Sequence, residues 1–273
     1  MMQTTLRRSL RFEGVGLHTG VHCRVEVRPA AAHAGFTFLL GNVSVPATAE
    51  YVVDTTRATV LGRDGVAVST TEHLLSALFA MGVANADIAV DGPEIPVRDG
   101  SASEFASAIL QCGLQEQFVQ RKMLDLEEPV IVRDGDKLVA AFPAPSFRVR
   151  FVADFPQPIG TQYFSGEIDP ARYVEEIAGA RTFAYAHEVQ ALLARGLAQG
   201  GSLENALIFT ADGPLQPLRW PNEAVRHKVL DLIGDLALLG AWPRCELIAI
   251  KSGHRLHSSL TTALRSRLRV PSA

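Results

Sequence analysis

Arg226-His227-Lys228-Val229-Leu230-Asp231-Leu232-Ile233-Gly234-Asp235 is the stretch whose reading decides the fold. Around it Val225, Val229, Leu232, Ile233, Leu236 and Leu239 recur at helical spacing. His227, Asp231 and Asp235 are each one helical turn apart, so they share a stripe. An imidazole and a carboxylate so placed grip a divalent cation without bending the backbone. The stripe borders the apolar face, and a buried polar group needs a partner or a metal. A plain hydrogen bond between His227 and Asp231 satisfies the same spacing.

A second stretch, Ser69-Thr70-Thr71-Glu72-His73-Leu74-Leu75-Ser76-Ala77-Leu78-Phe79-Ala80-Met81-Gly82, matches the first when it is set against Leu230 to Gly240. His73 then falls on Asp231, and Glu72 on Leu230. The following strands, Ala86 to Val90 and Cys245 to Ile250, also correspond. The pattern reads as an internal duplication, a helix and then a strand in each half. Halves packed face to face bring His73, His227 and Asp231 together. Three protein ligands with a fourth position open is the arrangement of a catalytic zinc site. Glu72, beside a ligand, then serves as general base.

The chain has 273 residues, 47% hydrophobic and 20% charged, with a formal net charge of −3. That describes a globular protein of one large or two modest domains. The mild acidity argues against a nucleic-acid binder. Cys23, Cys112 and Cys245 are scattered and odd in number, as in a reducing compartment. The N-terminus lacks a signal-peptide run, and no segment has the roughly 18 apolar residues of a membrane helix. The expectation is a cytoplasmic monomer with no nucleic-acid partner and no transmembrane segment.

Thr4 to Phe12 alternates as one strand, Gly14-Val15-Gly16-Leu17-His18-Thr19-Gly20 is a turn, and Val21 to Val27 is the next strand. Tyr51 to Leu61 reads as a further strand. Ser69 or Thr70 caps the first special helix, and Ser101 or Ser103 caps a helix through about Cys112. Polar Gln115 to Lys122 marks the boundary between domains 1–117 and 123–273. Pro156 to Ser165 is a looser excursion, Pro170 to Gly179 and Glu188 to Arg195 are helical, and Ser258 to Leu268 is a terminal helix. His22, His33, His187 and His257 read as solvated surface residues. Strand runs without regular βαβ alternation give an α+β class with antiparallel or mixed sheets. Neither a GxGxxG after a strand nor a P-loop is present.

Seven motifs now stand in order. They are Gly14 to Gly20, Ser69 to His73, Pro93-Glu94-Ile95-Pro96-Val97-Arg98-Asp99-Gly100-Ser101, Ala180-Arg181-Thr182-Phe183, Gly200-Gly201-Ser202, Arg226 to Asp231, and Ser252-Gly253-His254. Together they resemble the UDP-3-O-acyl-N-acetylglucosamine deacetylases, zinc enzymes of lipid A synthesis, from about Thr4 to about Leu268. The resemblance implies two similar two-layer α/β sandwich domains meeting face to face, with the site between them. It implies Zn2+ on His73, His227 and Asp231, and loss of acetate from the 2-acetamido group of a UDP-3-O-acyl-N-acetylglucosamine, the committed step of lipid A biosynthesis. Glu72 is then the base on the metal-bound water. Thr182 and the metal face the oxyanion, and His254, supported by Asp235, is the acid or charge stabiliser. Lys228 lies beside the phosphates, with Lys137 and Lys251 as further cations. Phe155 and Tyr185 flank the uracil near Glu188, and Phe183 contacts substrate. Leu17, Ala186, Val189, Ala198 and Ser202 line the acyl passage, and His18 binds close to the site. The alternatives are a UDP-sugar binding module without catalysis and a zinc hydrolase of another acylated sugar.

Overall fold

The computed structural model describes residues 1–268. The end of the second domain, set at 273 from the sequence, lies outside the described residues. Two mixed sheets carry the fold. In the first, Leu10–Val15, His22–Pro29, Ala86–Asp91, Phe36–Leu40 and Val43–Pro46 lie side by side in that order. In the second, the corresponding order is Val130–Asp134, Lys137–Pro143, Trp242–Ile250, Arg148–Asp154 and Thr161–Glu167. Both run antiparallel, antiparallel, parallel, antiparallel from edge to edge. An identical strand order and direction in both halves is the duplication seen at the level of topology. Met123–Asp125 adds a short parallel strand beside Trp242–Ile250 in the second sheet.

Six α-helices are described: α1 (Glu72–Ala80), α2 (Ser103–Cys112), α3 (Pro170–Glu176), α4 (Ala186–Ala194), α5 (Glu223–Ala237) and α6 (His254–Arg265). Strand residues alternate in burial, as in Phe36–Leu40, so each sheet turns one apolar face inward. Every residue of α1 is buried, and α5 exposes little beyond Arg226 and Lys228. Both helices thus lie in the interior, and the polar stripe of α5 is buried with it. Val25, Phe38 and Ile88 of the first sheet and Phe151, Leu247 and Ala249 of the second join α1 and α5 in one continuous core. Truncating a buried leucine such as Leu74 or Leu232 in such a core costs about 2–5 kcal/mol.

Gly234 brings the two helices together. A Cβ there would lie 2.1 Å from the Glu72 carbonyl oxygen, so only glycine admits this crossing. Tyr173 supports it by donating its hydroxyl to Ser76 Oγ on α1 at 2.9 Å. Between Thr161–Glu167 and α5 lies an insert with no counterpart of similar length in the first half. It contains α3, α4 and the small sheet Phe183–Tyr185, Leu207–Thr210 and Gly213–Pro214.

Several local expectations are corrected. Thr4 to Phe12 is two strands, because Met2–Leu6 leaves the first sheet to pair with Leu114–Gln120. The polar segment after α2 is therefore a strand and not a bare linker. It lies on the surface, where its polar side chains meet water. Tyr51 to Leu61 is a hairpin, Val52–Asp54 with Val60–Arg63. Asp54 breaks the run by accepting the amides of Thr55 and Thr56. Neither Ser69 nor Thr70 caps α1. The helix begins at Glu72 behind Thr71, and the Thr70 hydroxyl goes to Glu94 at 2.7 Å. Ala102 precedes α2, while Ser101 Oγ accepts the Ser103 amide at 3.2 Å. Thr161–Glu167 is an edge strand within what reads as an excursion. α6 starts at His254, four residues earlier than the sequence suggests. Among the described residues, no helix is long and apolar enough to cross a membrane.

Candidate active site

α1 and α5 cross with His73, His227 and Asp231 facing one another. Each of the three offers a ligand atom within 4.8 Å of the others. Asp231 Oδ1 lies 3.5 Å from His227 Nε2 and 3.7 Å from His73 Nε2. The two imidazoles meet edge to face with centroids 5.0 Å apart. All three side chains are buried, at 4%, 4% and 2% exposure. Burial, and then the neighbouring His227, pushes His73 down to about 3. Burial also lowers His227. Both rings are therefore neutral, the state in which imidazole binds a metal. Burial alone would raise Asp231, but Lys228 Nζ, which donates to its Oδ2 at 2.5 Å, holds it below the usual carboxylate range. The Ala180 carbonyl is 3.0 Å from His227 Nδ1 and can only accept. That fixes the Nδ1–H tautomer and leaves Nε2 free toward the other two ligands. Two neutral nitrogens and one carboxylate oxygen in a buried cluster fit a divalent transition metal.

Beside this trio, Glu72 and His254 face each other with Oε1 and Nε2 3.9 Å apart. Burial lifts Glu72 to about 8, against the charge of His254. Burial works against a charge on His254, yet the carboxylates of Asp235, Glu72 and Asp231 together outweigh it and lift the imidazole to about 9. The contact is direct, Nδ1 to Asp235 Oδ2 at 2.9 Å. Asp235 does not line the cavity that opens from these groups; His254, which it holds, does.

Three residues to which the sequence reading gives no functional role complete the arrangement. Thr59 donates its amide to Glu72 Oε2 at 3.0 Å and its hydroxyl to Asp235 Oδ1 at 2.5 Å. It sits in the loop that breaks the expected Tyr51 to Leu61 strand. His257, expected on the surface, is fully buried and bonds Asp235 through Nδ1 at 2.8 Å. Starting α6 at His254 puts the two histidines on one face, the signal that a later helix start hides. Glu94 is fully buried. It accepts the amides of His18 and Thr19 and the hydroxyls of Thr19 and Thr70. It thereby ties the glycine-rich turn to the start of α1. A Cβ on Gly16 would fall 2.3 Å from the Glu94 carboxylate, which is why the turn needs glycine there.

A cavity of about 950 Å³ opens from these groups. Its apolar wall comes from the turn and the insert, with Leu17, Phe183, Ala186, Val189, Ala198 and Ile208. Its cationic wall carries Arg57, Lys137, Lys228, Lys251 and Arg255. His18, Phe155, Thr182 and Ser202 also line it. The Nδ1 of His18 is buried and, among the described residues, has no hydrogen-bond partner. Tyr185 and Glu188 are not brought to the cavity. Tyr185 packs in a small core with Leu207 and Phe209, and donates its hydroxyl to the Pro156 carbonyl at 2.6 Å. The other three surface histidines, His22, His33 and His187, are exposed. The Arg181 side chain turns away to Glu223 at 2.8 Å, leaving Thr182 at the wall. Asp99 and Glu223 both bind Arg219, which braces the proline-rich loop against the start of α5.

Residues 3–266 match the family described as UDP-3-O-acyl N-acetylglycosamine deacetylase. A protein of Phenylobacterium zucineum named UDP-3-O-acyl-N-acetylglucosamine deacetylase is 45% identical over 98% of this chain and 94% of its own length. Proteins of the same name from Myxococcus xanthus and a Nostoc species are each 44% identical. They cover 97% and 95% of this chain, and 86% and 97% of their own lengths. With the match running through both helices, the insert and all seven motifs, this chain belongs to the UDP-3-O-acyl N-acetylglycosamine deacetylase family.

Proposed function

We propose that this chain is a metal-dependent hydrolase that removes acetate from the 2-acetamido group of a UDP-3-O-acyl-N-acetylglucosamine, in lipid A synthesis. The observation that carries the reading is the buried trio His73, His227 and Asp231, next to Glu72 and His254 and open to a cavity with one apolar and one cationic wall. A pure binding module has no use for metal ligands beside a base. The apolar wall suits an acyl chain and the cationic wall a pyrophosphate, which favours this substrate over other acylated sugars. The two matching sheets support a division into domains 1–117 and 123 onward; a monomer in the cytoplasm belongs to the same reading.

His73, His227 and Asp231 would hold the zinc, which would supply Lewis acidity and acidify water. Glu72 takes the proton of the attacking water, and a base poised near neutrality is the efficient one. Thr59 holds Glu72 in place through its amide. The Thr182 hydroxyl faces the developing oxyanion. His254 gives a proton to the leaving amine, with Asp235 behind it maintaining the charge. Lys228 keeps Asp231 ionised and stands with Lys137 and Lys251 at the phosphate side, and His18 contacts the sugar. Phe155, Phe183 and Ser202 contact the rest of the substrate, and Leu17 lines the acyl passage.

The test is acetate release from UDP-3-O-acyl-N-acetylglucosamine, with UDP-N-acetylglucosamine as control. Release that requires the acyl chain is the expected result. Equal release from both sugars rejects the substrate assignment, and no release from metal-loaded protein that still binds the sugar supports the binding module.

A further inference from the structure

The Asp235 carboxylate is shared. Oδ2 receives the Nδ1 of His254 at 2.9 Å and the Nδ1 of His257 at 2.8 Å, and Oδ1 takes the Thr59 hydroxyl. Burial would raise Asp235, but His254 holds it down at about 2, so this carboxylate is ionised and only accepts. His257 must therefore carry its proton on Nδ1. Its Nε2 lies 2.9 Å from Ser252 Oγ. A second buried cation beside charged His254 is unfavourable, so Nε2 is bare and accepts from the serine hydroxyl. Phe151 packs edge-on against the ring at 6.2 Å. Ser252, His257, Asp235 and His254 thus form a short hydrogen-bonded run, with its two ends, Ser252 and His254, on the cavity wall.

We propose that His257 is a positioning residue for the reaction: its Nδ1–H, with the ring held by Ser252 and Phe151, fixes the Asp235 carboxylate in the orientation that grips His254. Two donors on one oxygen and a third on the other leave the carboxylate a single orientation. Without His257, one side of Oδ2 loses its donor in a buried position, and the carboxylate is free to turn away from His254. The effect reaches the reacting groups through His254, which Oδ2 grips, so it falls on the chemical step and not on binding. The inference rests on the deacetylase reading above.

The experiment is a double-mutant cycle on the full-length, metal-loaded protein, following acetate release. His257→Leu is expected to lower kcat about tenfold with KM within twofold, and His257→Asn to recover to within threefold. The asparagine amide nitrogen falls where Nδ1 sits. In a His254→Ala background, His257→Leu is expected to cost nothing more. Should His257→Leu not fold, His257→Gln replaces it, since its amide falls at the Nε2 position and misses Asp235. Full activity of the folded leucine or glutamine variant overturns the proposal. So does an asparagine variant as slow as the leucine one, or the same tenfold loss in the His254→Ala background. Absence of acetate release from the parent protein overturns the deacetylase reading and this inference with it. Release from the parent with an additive cycle overturns this inference alone.

Discussion

α1 and α5 hold equivalent places in the two halves, yet they carry different chemistry. Where α1 has Glu72 and His73, α5 has Leu230 and Asp231. The first half supplies one candidate metal ligand and the proposed base. The second supplies two candidate ligands, the aspartate behind His254, and the insert that walls the cavity. The scaffold repeats and the functional groups do not. A duplicated helix pair meeting across an interface gives two pre-positioned stripes at little cost in backbone strain. Each stripe is then free to specialise.

The comparison breaks hardest at the ligands. Asp231→Ala is expected to abolish metal retention and lower activity by well over a hundredfold, since even outer partners of a metal ligand are worth about 10–100-fold. Metal content and acetate release measured on the same sample check this. An Asp231→Ala protein that keeps its metal would show that Asp231 is not a ligand.

Next comes the base. Glu72→Gln is expected to slow turnover roughly 10²–10⁴-fold, the range of general acid–base catalysis, with metal content unchanged. That split separates the role of Glu72 from that of its neighbour His73, and loss of metal in this variant would merge them.

Gly234→Ala tests the crossing itself. The added methyl meets the Glu72 carbonyl, so overpacking of roughly 1–3 kcal/mol is expected in denaturant unfolding, together with weaker metal retention. Unchanged stability would mean that the helices can separate freely.

The smallest effect belongs to the cavity wall. Lys137→Ala is expected to raise KM for the UDP-sugar about tenfold with kcat nearly constant, as for a binding contact that chemistry does not strengthen. A pure kcat effect would move Lys137 into the reaction.

What could be read from sequence follows from what repeats. The helical period of Val225 to Leu239 and the correspondence of His73 with Asp231 are patterns along the chain, and the structure bears out the juxtaposition they imply. Thr59, His257 and Glu94 are single residues whose partners are distant or hidden by a helix start. Thr59 meets Asp235 across the whole interface between the halves, and no spacing encodes such a contact. His257 was hidden because α6 begins at His254, where the extended backbone of Gly253 hands the chain straight into the helix. Tyr185 shows the reverse limit. The resemblance implies that it flanks the uracil, but an apolar cluster and the Pro156 carbonyl hold its side chain away from the cavity lining.

The central claim is that two helices, one from each half, build a single metal site that drives acetate release. Chelation followed by stepwise return of zinc, with acetate release read at each step, tests it most directly. The account predicts that activity is lost on chelation and restored at one equivalent of zinc per chain, and that the Asp231→Ala protein is not restored. Undiminished acetate release from fully chelated protein would contradict it.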